Sequence, residues 1–422
     1  MSRDVQRDAQ ERTMPAPGAT AAVAPPPGAE AATASDRPPF SARDLLRRDW
    51  GQLPVFIGLS VIAVYSQIAS GGFFFNGQNL TNLVQQIITT AVLGVAAVLV
   101  LLIAEIDLSL SAVAFLCGAI MGVLSARAGW PPIPAVLVGI AAGALIGAIN
   151  GFFVAVVRVP SFIVTLAAFI GYQGLLSKIL EPQTSLGIHD NAILNVAIYY
   201  LPDWLGVGLP VLGLVVYAAS VLLNRAQRQR AGLPVPSQGA LWARLGIVAV
   251  LVLGTIVAFQ AYSGVPLVAM ILVAIVVVFW LLTTRTAFGR HIYAVGGNAE
   301  AARRAGIRVA GLRIALFSLS SALAAAGGIL LASREGIARA DVSPGLLLNA
   351  IAAAVIGGVS LFGGRGSVWG VLLGALVIGS LVNGLALSGQ SPAVEEMVEG
   401  SVLLIAVLLD ALARRRSATG LR

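Results

Sequence analysis

The sequence alternates between apolar runs and shorter polar segments, and twelve such runs can be counted. Each run has roughly the 20 residues that a helix needs to cross a bilayer. None shows the polar–apolar alternation of a transmembrane β-strand. The pattern predicts an all-α polytopic membrane protein with about twelve transmembrane helices. The runs lie near 53–69, 83–103, 108–126, 133–157, 160–178, 207–223, 245–262, 265–283, 312–333, 346–362, 368–388 and 397–412.

Composition supports this prediction. Of the 422 residues, 58% are hydrophobic and 11% are charged, and the mean hydropathy is +0.90. A soluble protein of this size would carry more charge and fewer apolar residues. The net charge of +8 does not indicate a nucleic-acid partner, because most arginines lie in loops between the apolar runs, where cytoplasmic loops of membrane proteins carry them.

The polar segments divide the chain into three regions. Residues 1–45 are rich in Ala, Pro, Gly and charge, which predicts a disordered cytoplasmic tail and not a signal peptide. Residues 46–413 form the predicted transmembrane domain, and 414–422 a basic cytoplasmic tail. With both termini inside, the basic loops 224–244 and 284–311 fall on the cytoplasmic side. The long loop 179–206, which has three acidic residues and no arginine, falls outside.

Residue types that carry catalysis are scarce. The single cysteine is Cys117, and His189 and His291 lie far apart in different loops, so neither a disulfide nor a Cys metal cluster is predicted. A catalytic Cys–His pair is improbable on the same grounds. The only lysine in the sequence is Lys178, and it lacks the glycine frame of a nucleotide-binding P-loop. We therefore expect no cofactor or metal in this chain, and ATP and Mg in a partner ATPase if ATP is used.

Two segments resemble each other. GALIGAINGFFVAV (143–156) and GALVIGSLVNGLAL (374–387) both carry small residues at helical spacing, followed by Asn-Gly. In the predicted topology they run in opposite directions, as in the inverted repeats that frame transporter pathways. Shared glycine-rich composition is the alternative explanation.

Several polar residues interrupt the apolar runs. Glu105 and Asp107 lie between two runs that almost touch. Carboxylates at membrane depth mark a pathway or a paired site, or Asp107 caps a helix that starts at Leu108. The amides within the runs are further candidates for a substrate pathway, with interhelical hydrogen bonding as the alternative. These amides are Asn150, Gln173, Asn349 and Asn383.

Four glycines recur every fourth residue within one run, at Gly139, Gly143, Gly147 and Gly151. Such a stripe lets a second helix approach closely, so it predicts helix packing in preference to ligand binding.

The segment 284–311 breaks off an apolar stretch for polar, arginine-bearing sequence. Gly296 and Gly297 end one element, and Asn298 then caps a short helix from Ala299 to Ala305. Glu300 in its first turn suits the helix dipole, and Gly306 ends it. An ordinary connecting helix would explain this. A docking site for a cytoplasmic partner protein also explains why this polar segment interrupts the apolar runs. Arg303 and Arg304 are the residues to test.

Four stretches carry a resemblance to a known family: AEIDLSLSAV, VPSFIVTLAAFIGYQGLL, TRTAFGRHIYAVGGNAEAARRAGI and NAIAAAVIGGVSLFGGRGS. Together they resemble permease subunits of bacterial ABC sugar importers of the ribose/xylose type, from about residue 50 to the C-terminus. The residues of these motifs are most similar to those of the members that carry D-xylose, and so are the two extra spans over roughly 207–262. The implied fold is the ABC-importer permease fold, with a core of about ten helices plus these two.

The resemblance implies partners and a mechanism. Two permease copies form the channel, two cytoplasmic ABC ATPase subunits dock beneath it, and a periplasmic sugar-binding protein delivers the sugar. The chain would lie in the bacterial inner membrane, and its cytoplasmic loop 284–311 would contain the helix that couples to the ATPase. The chain departs from the family at Ala104, where glycine is usual, at Asn349, where Asp is expected, and at Glu399, where Lys is common.

Three classes of function are compared. A transport permease without its own ATPase accounts for the polar positions and the repeat, for xylose, ribose, another monosaccharide or a nucleoside. An intramembrane enzyme would need a nucleophile or metal cluster, and Glu105 with Asp107 is the only close carboxylate pair between long spans. A structural membrane scaffold would need neither the polar positions nor the repeat.

Overall fold

The computed structural model describes residues 53–235 and 237–419, so the predicted tail at 1–45 lies outside the described residues. The architecture is all-α, which confirms the predicted fold class. In chain order the helices are α1 (Leu53–Ala69), α2 (Gly77–Leu101), α3 (Leu110–Gly122), α4 (Pro132–Phe152), α5 (Ser161–Leu180), α6 (Asn191–Ile198), α7 (Asp203–Arg230), α8 (Gln238–Gln260), α9 (Leu267–Arg285), α10 (Ala287–Gly297), α11 (Ala299–Arg304), α12 (Val309–Glu335), α13 (Pro344–Ile356), α14 (Val368–Leu387) and α15 (Pro392–Thr419).

Short irregular elements complete the chain. α3 and α4 each continue into one π-helical turn, at Val123–Arg127 and Phe153–Val157. Strands β1 (Ser185–Gly187) and β2 (Ile337–Arg339) form an antiparallel ribbon. Because α15 continues to Thr419, most of the predicted basic tail is helical.

Eleven of the twelve apolar runs lie mainly on one helix each, and nine helices of the described residues are long and apolar enough to cross a membrane. The run at 346–362 is a correction, because it does not form one continuous helix. α13 has 13 residues and rises about 20 Å, short of the about 30 Å hydrocarbon core. It ends where Gly357 and Gly358 follow, and Gly358 adopts a φ of +88° that ordinary side chains avoid.

Burial separates central from peripheral helices. The apolar stretches of α2, α3 and α12 are 78%, 67% and 61% buried, whereas those of α7 and α8 are 6% and 17% buried. The insertion predicted at 207–262 therefore forms a peripheral helical pair. Its exposed apolar side chains suit a lipid environment, since lipid tails are as apolar as these side chains.

The glycine stripe of α4 faces α12. A methyl group at Gly143 would lie 2.6 Å from the Ala325 Cβ, and one at Gly151 would lie 2.8 Å from the Ile314 Cα. Gly147 meets the α12 backbone at Phe317, whereas Gly139 lies between the Ile329 side chain of α12 and the Cys117 carbonyl of α3. The two backbones approach closely because these positions lack a side chain.

Interhelical connections gather at two ends of the helical bundle. At the first end, which we call the arginine face, the segments 102–109, 158–160, 286–308 and 357–367 meet. At the second, the ribbon face, β1 pairs with β2, and Tyr200 forms a bridge with Pro266. α2, α4, α12 and α14 each join one face to the other, so the segments 143–156 and 374–387 run in opposite directions. That direction is compatible with the predicted inverted repeat.

Candidate functional site

A buried carboxylate lies where the chain passes from α2 to α3. Asp107 is 4% exposed, and its Oδ1 accepts hydrogen bonds from the Ser109 backbone N–H at 2.8 Å and from the Ser109 hydroxyl at 2.6 Å. Its Oδ2 has no partner among the described residues. The capping role predicted for Asp107 is wrong in detail, because α3 begins at Leu110 and its N-cap position is Ser109.

The polar contacts continue from Ser109 into two further helices. The Asn150 amide of α4 donates to the Ser109 hydroxyl at 3.1 Å. The Tyr172 hydroxyl of α5 donates to the Asn150 Oδ1 at 2.9 Å. We call Asp107, Ser109, Asn150 and Tyr172 the Asp107 cluster. Because a buried polar group without a partner is costly, this chain of bonds ties three elements together.

The segment 102–109 is held without being helical. The Ile106 N–H donates to the Ser161 hydroxyl at 3.2 Å, and the Leu108 N–H donates to the Thr165 hydroxyl at 3.0 Å. Side chains of α5 thus satisfy backbone groups that a helix would otherwise pair. Ala104 in this segment adopts a φ of +62°, the left-handed conformation that favours glycine.

Glu105 faces a different partner from Asp107. It forms an ion pair with Arg313 of α12 at 2.8 Å, and the two side chains are 13% and 27% exposed. The pair links the segment 102–109 to the first turns of α12.

A second polar cluster lies toward the ribbon face. Asn383 of α14 and Asn79 of α2 exchange amide hydrogen bonds at 2.9 and 3.1 Å, and Asn383 also donates to the Gln86 Oε1 at 3.3 Å. We call Asn79, Gln86 and Asn383 the amide cluster. Asn150 and Asn383 each begin the Asn-Gly pair of their segment, and each is buried and bonded to neighbouring elements.

The six predicted pathway residues do not form one site. Hydrogen bonds through Ser109 join Asp107 and Asn150, while Glu105 and Asn383 belong to other groups. Asn349 of α13 lies near the Glu399 carboxylate. The half-buried Gln173 side chain has no hydrogen-bond partner among the described residues.

Sequence reasoning missed Ser109, Tyr172, Asn79 and Gln86. Tyr172 is a polar residue inside an apolar run, the same signal that selected Gln173. Ser109 follows Asp107 by two positions, the spacing at which an aspartate binds the backbone in a turn. Arg313 carried a weaker signal, because it is a charged residue one position inside the predicted run at 312–333.

The polar segment 284–311 forms two short helices on the arginine face. α10 ends at Gly297, as predicted, and a methyl group at Gly296 would overlap the Leu102 carbonyl oxygen. That carbonyl also accepts a hydrogen bond from the Gly364 N–H at 2.9 Å. The Tyr293 hydroxyl donates to the Gly366 carbonyl at 2.9 Å. α10 therefore contacts both segments, 102–109 and 357–367.

α11 is built as its sequence predicts. The Asn298 Oδ1 accepts from the Ala301 N–H at 2.9 Å, and Gly306, beyond the helix end, has a φ of +88°. Arg303 and Arg304 each form an ion pair with Glu300. The helix spans Ala299–Arg304. Ala302 is its buried residue, and the side chains of Glu300, Arg303 and Arg304 are exposed.

Long apolar helices that are joined through buried polar clusters are the features of a multi-pass membrane protein. The chain belongs to the family described as branched-chain amino acid transport system / permease component, whose pattern matches residues 79–407.

Individual relatives are similar over most of the chain. The xylose transport system permease protein XylH of Escherichia coli K12 is 36% identical over 368 residues, covering 86% of this chain and 93% of that protein. The ribose import permease protein RbsC of the same organism is 33% identical, covering 83% and 91%. The fructose import permease protein FrcC of Rhizobium meliloti is 33% identical, covering 86% of each. No solved structure matches the chain.

These relatives confirm the resemblance to ABC sugar importer permeases. They are named as transport permeases and not as enzymes, so the chain is a permease and the intramembrane enzyme is not favoured.

Proposed function

We propose that this chain is the transmembrane permease subunit of an ATP-driven importer for a monosaccharide, with D-xylose as the first candidate. The observation that carries the proposal is its similarity to XylH over 93% of that protein's length. Ribose, another monosaccharide or a nucleoside is the alternative cargo, and the ribose and fructose permeases match over similar lengths at slightly lower identity.

The proposed assembly contains two copies of this chain, ABC ATPase subunits that bind ATP and Mg, and a periplasmic sugar-binding protein, in the bacterial cytoplasmic membrane with surrounding lipid. The arginine face would be cytoplasmic, with both termini on that side. The positions of Arg303, Arg304 and Arg308 support this orientation, since cytoplasmic loops carry the excess of arginine and lysine. The ATPase would dock on the arginine face and the binding protein on the ribbon face.

The proposed mechanism is alternating access driven through α10 and α11. A docked ATPase that moves α11 would also move α10, which precedes it directly in the chain. α10 contacts the Leu102 carbonyl and the Gly366 carbonyl, so its motion would reach the segments 102–109 and 357–367. Each segment joins two helices, and a displacement there would change how α2, α3, α13 and α14 are oriented.

The buried polar clusters are the proposed lining of the sugar pathway. Sugar hydroxyls both donate and accept hydrogen bonds, as do the amides of Asn150 and Asn383 and the hydroxyl of Tyr172. The Asp107 Oδ2, which lacks a described partner, offers a free acceptor. These groups lie toward opposite faces of the bundle, so a sugar would contact them in succession.

Uptake of radiolabelled D-xylose into proteoliposomes tests the proposal. The vesicles would contain this chain and its cognate ATPase, with the binding protein outside and ATP inside. We expect ATP-dependent accumulation that falls at least about fivefold, the lower end of a coupling of about 1–3 kcal/mol, when Arg303→Glu and Arg304→Glu are combined.

The matched control is Arg228→Glu with Arg230→Glu, which makes the same charge change in the last turn of α7. We expect this control to retain uptake. Accumulation of ribose or another sugar in place of xylose would correct the cargo alone. No accumulation of any sugar by an assembled complex would contradict the permease proposal, and equal uptake by both double variants would contradict the coupling role of α11.

A further inference from the structure

A cavity of about 600 Å³ opens on the arginine face between the ends of α4, α5 and α12. Its charged lining consists of Glu105, Arg158, Arg303, Arg308 and Arg313. Four arginines and one glutamate thus line the cavity. The excess of positive charge would attract an anion.

Two of the four arginines have no protein partner within the described part of the chain. Arg313 pairs with Glu105 and Arg303 pairs with Glu300. The side chains of Arg158 and Arg308 form no such pair, although both line the cavity. Arg158 also adopts a φ of +65° at the end of α4. Residues other than glycine rarely adopt this conformation, and those that do concentrate at ligand-binding positions.

The surroundings of the cavity are apolar. Val154, Ala155, Val159 and Ile307 lie between the arginines in the lining. Just outside it, Val156 and Val157 of the π-helical turn are each 51% exposed. This turn lies at the end of a helix that is long and apolar enough to cross a membrane, so these valines are placed to contact acyl chains while the arginines contact the headgroup.

We propose that this cavity binds the phosphate of an anionic phospholipid headgroup. Basic pockets at the ends of transmembrane helices suit such headgroups, because arginine donates several hydrogen bonds to phosphate oxygens while the chains remain in the bilayer. An acidic segment of a partner protein could meet the same arginines. It would not account for the exposed valines beside them, so the lipid is favoured. The inference requires only that the chain is a membrane protein and does not depend on which sugar it carries.

Native mass spectrometry of the full chain, purified in detergent, tests the inference. The chain would be titrated with dioleoyl phosphatidylglycerol and, separately, with dioleoyl phosphatidylcholine. The test variant combines Arg158→Gln with Arg308→Gln, which removes two positive charges without breaking a described ion pair. The control combines Arg228→Gln with Arg230→Gln, which removes the same charge from the end of α7 and outside the cavity lining.

We expect phosphatidylglycerol to bind the unmodified chain and the control at least about tenfold more tightly than it binds the test variant, since each arginine near a membrane surface contributes about 1 kcal/mol. Equal binding of the two lipids, or equal affinity of the test variant and the control, would overturn the proposal. Inorganic phosphate would be added at millimolar concentration as a competitor. If it displaces the lipid and raises the thermal stability of the chain as much as the lipid does, the cavity is a site for a free anion.

A pull-down with the cognate ATPase covers the remaining outcome. Loss of ATPase binding by the test variant, with unchanged binding of phosphatidylglycerol, would assign the arginines to the partner protein and overturn the lipid site. Because lipid binding is measured without sugar or ATP, a failure here leaves the permease proposal standing, and a failure of uptake leaves the lipid site standing.

Discussion

The ion pair between Glu105 and Arg313 makes it possible to test whether Glu105 positions the segment 102–109 or contacts the sugar. Its 2.8 Å separation and its exposures of 13% and 27% make it a partly buried pair. Exposed pairs contribute about 0–1 kcal/mol, and removing one partner of a fully buried pair costs about 3–5 kcal/mol. We therefore expect Glu105→Gln to lower the free energy of unfolding by about 1–3 kcal/mol.

A charge exchange tests whether the pair itself is responsible. The double variant, Glu105→Arg with Arg313→Glu, keeps one charge of each sign. Each of the two single substitutions should lower the free energy of unfolding, and we expect the double variant to recover more than half of the average of these two losses. Unfolding in mixed detergent micelles would supply the four free energies of a double-mutant cycle. Xylose uptake would be measured for the same four proteins and for Glu105→Gln, with the KM for sugar separated from the maximal rate.

A positioning residue and a pathway residue give different results. If Glu105 holds the segment 102–109 against α12, the exchange restores uptake and the KM changes little in every variant. If Glu105 contacts the sugar, Glu105→Gln raises the KM while the free energy of unfolding stays the same, and the exchange does not help. That second pattern, or a coupling energy near zero, would refute the reasoning.

Two further predictions concern glycine and the backbone. Gly143→Ala should be about 1–3 kcal/mol less stable than the control Gly174→Ala, because its methyl group would enter α12 whereas the control position has open space; equal stability in mixed micelles would show that α4 and α12 separate without cost. Ala104→Gly should stabilise the fold by about 0.5–1 kcal/mol, because it relieves a left-handed residue, and a loss of stability in the same unfolding assay would contradict this.

The lengths of the apolar runs were enough to predict the helical content, because a segment that crosses a membrane has to satisfy its own backbone hydrogen bonds. The short helix at Ala299–Arg304 was predictable for a local reason, since Asn298 and Gly306 supply its start and its end. The close packing of α4 was predictable from the four-residue glycine spacing, although the identity of its partner helix was not. Local signals of this kind act over a few residues and need no knowledge of the fold.

Contacts between distant segments were not predictable in this way. The pairing of Ser185 with Arg339 and of Glu105 with Arg313 joins residues more than a hundred positions apart, and apolar spacing does not say which helix ends meet. The cavity arginines illustrate the same limit, because the sequence assigned Arg308 to the cytoplasmic side with the loop 284–311 but could not place it beside Arg158 around one space. The early end of α13 was missed because hydropathy continues through Gly357 and Gly358 while helical backbone does not.

The stiffness of the helices gives the two non-helical segments their importance. A helix transmits displacement along its length, whereas a segment held by side-chain hydrogen bonds can exchange one set of partners for another. The segment 102–109 is held by Ser161 and Thr165, and the segment 357–367 by contacts with Leu102 and Tyr293. These two segments contact each other directly through the Leu102 carbonyl and the Gly364 N–H. A push on α10 therefore acts on both at once, and a permease that opens by rigid motion of its helices would bend at these positions and not within the helices.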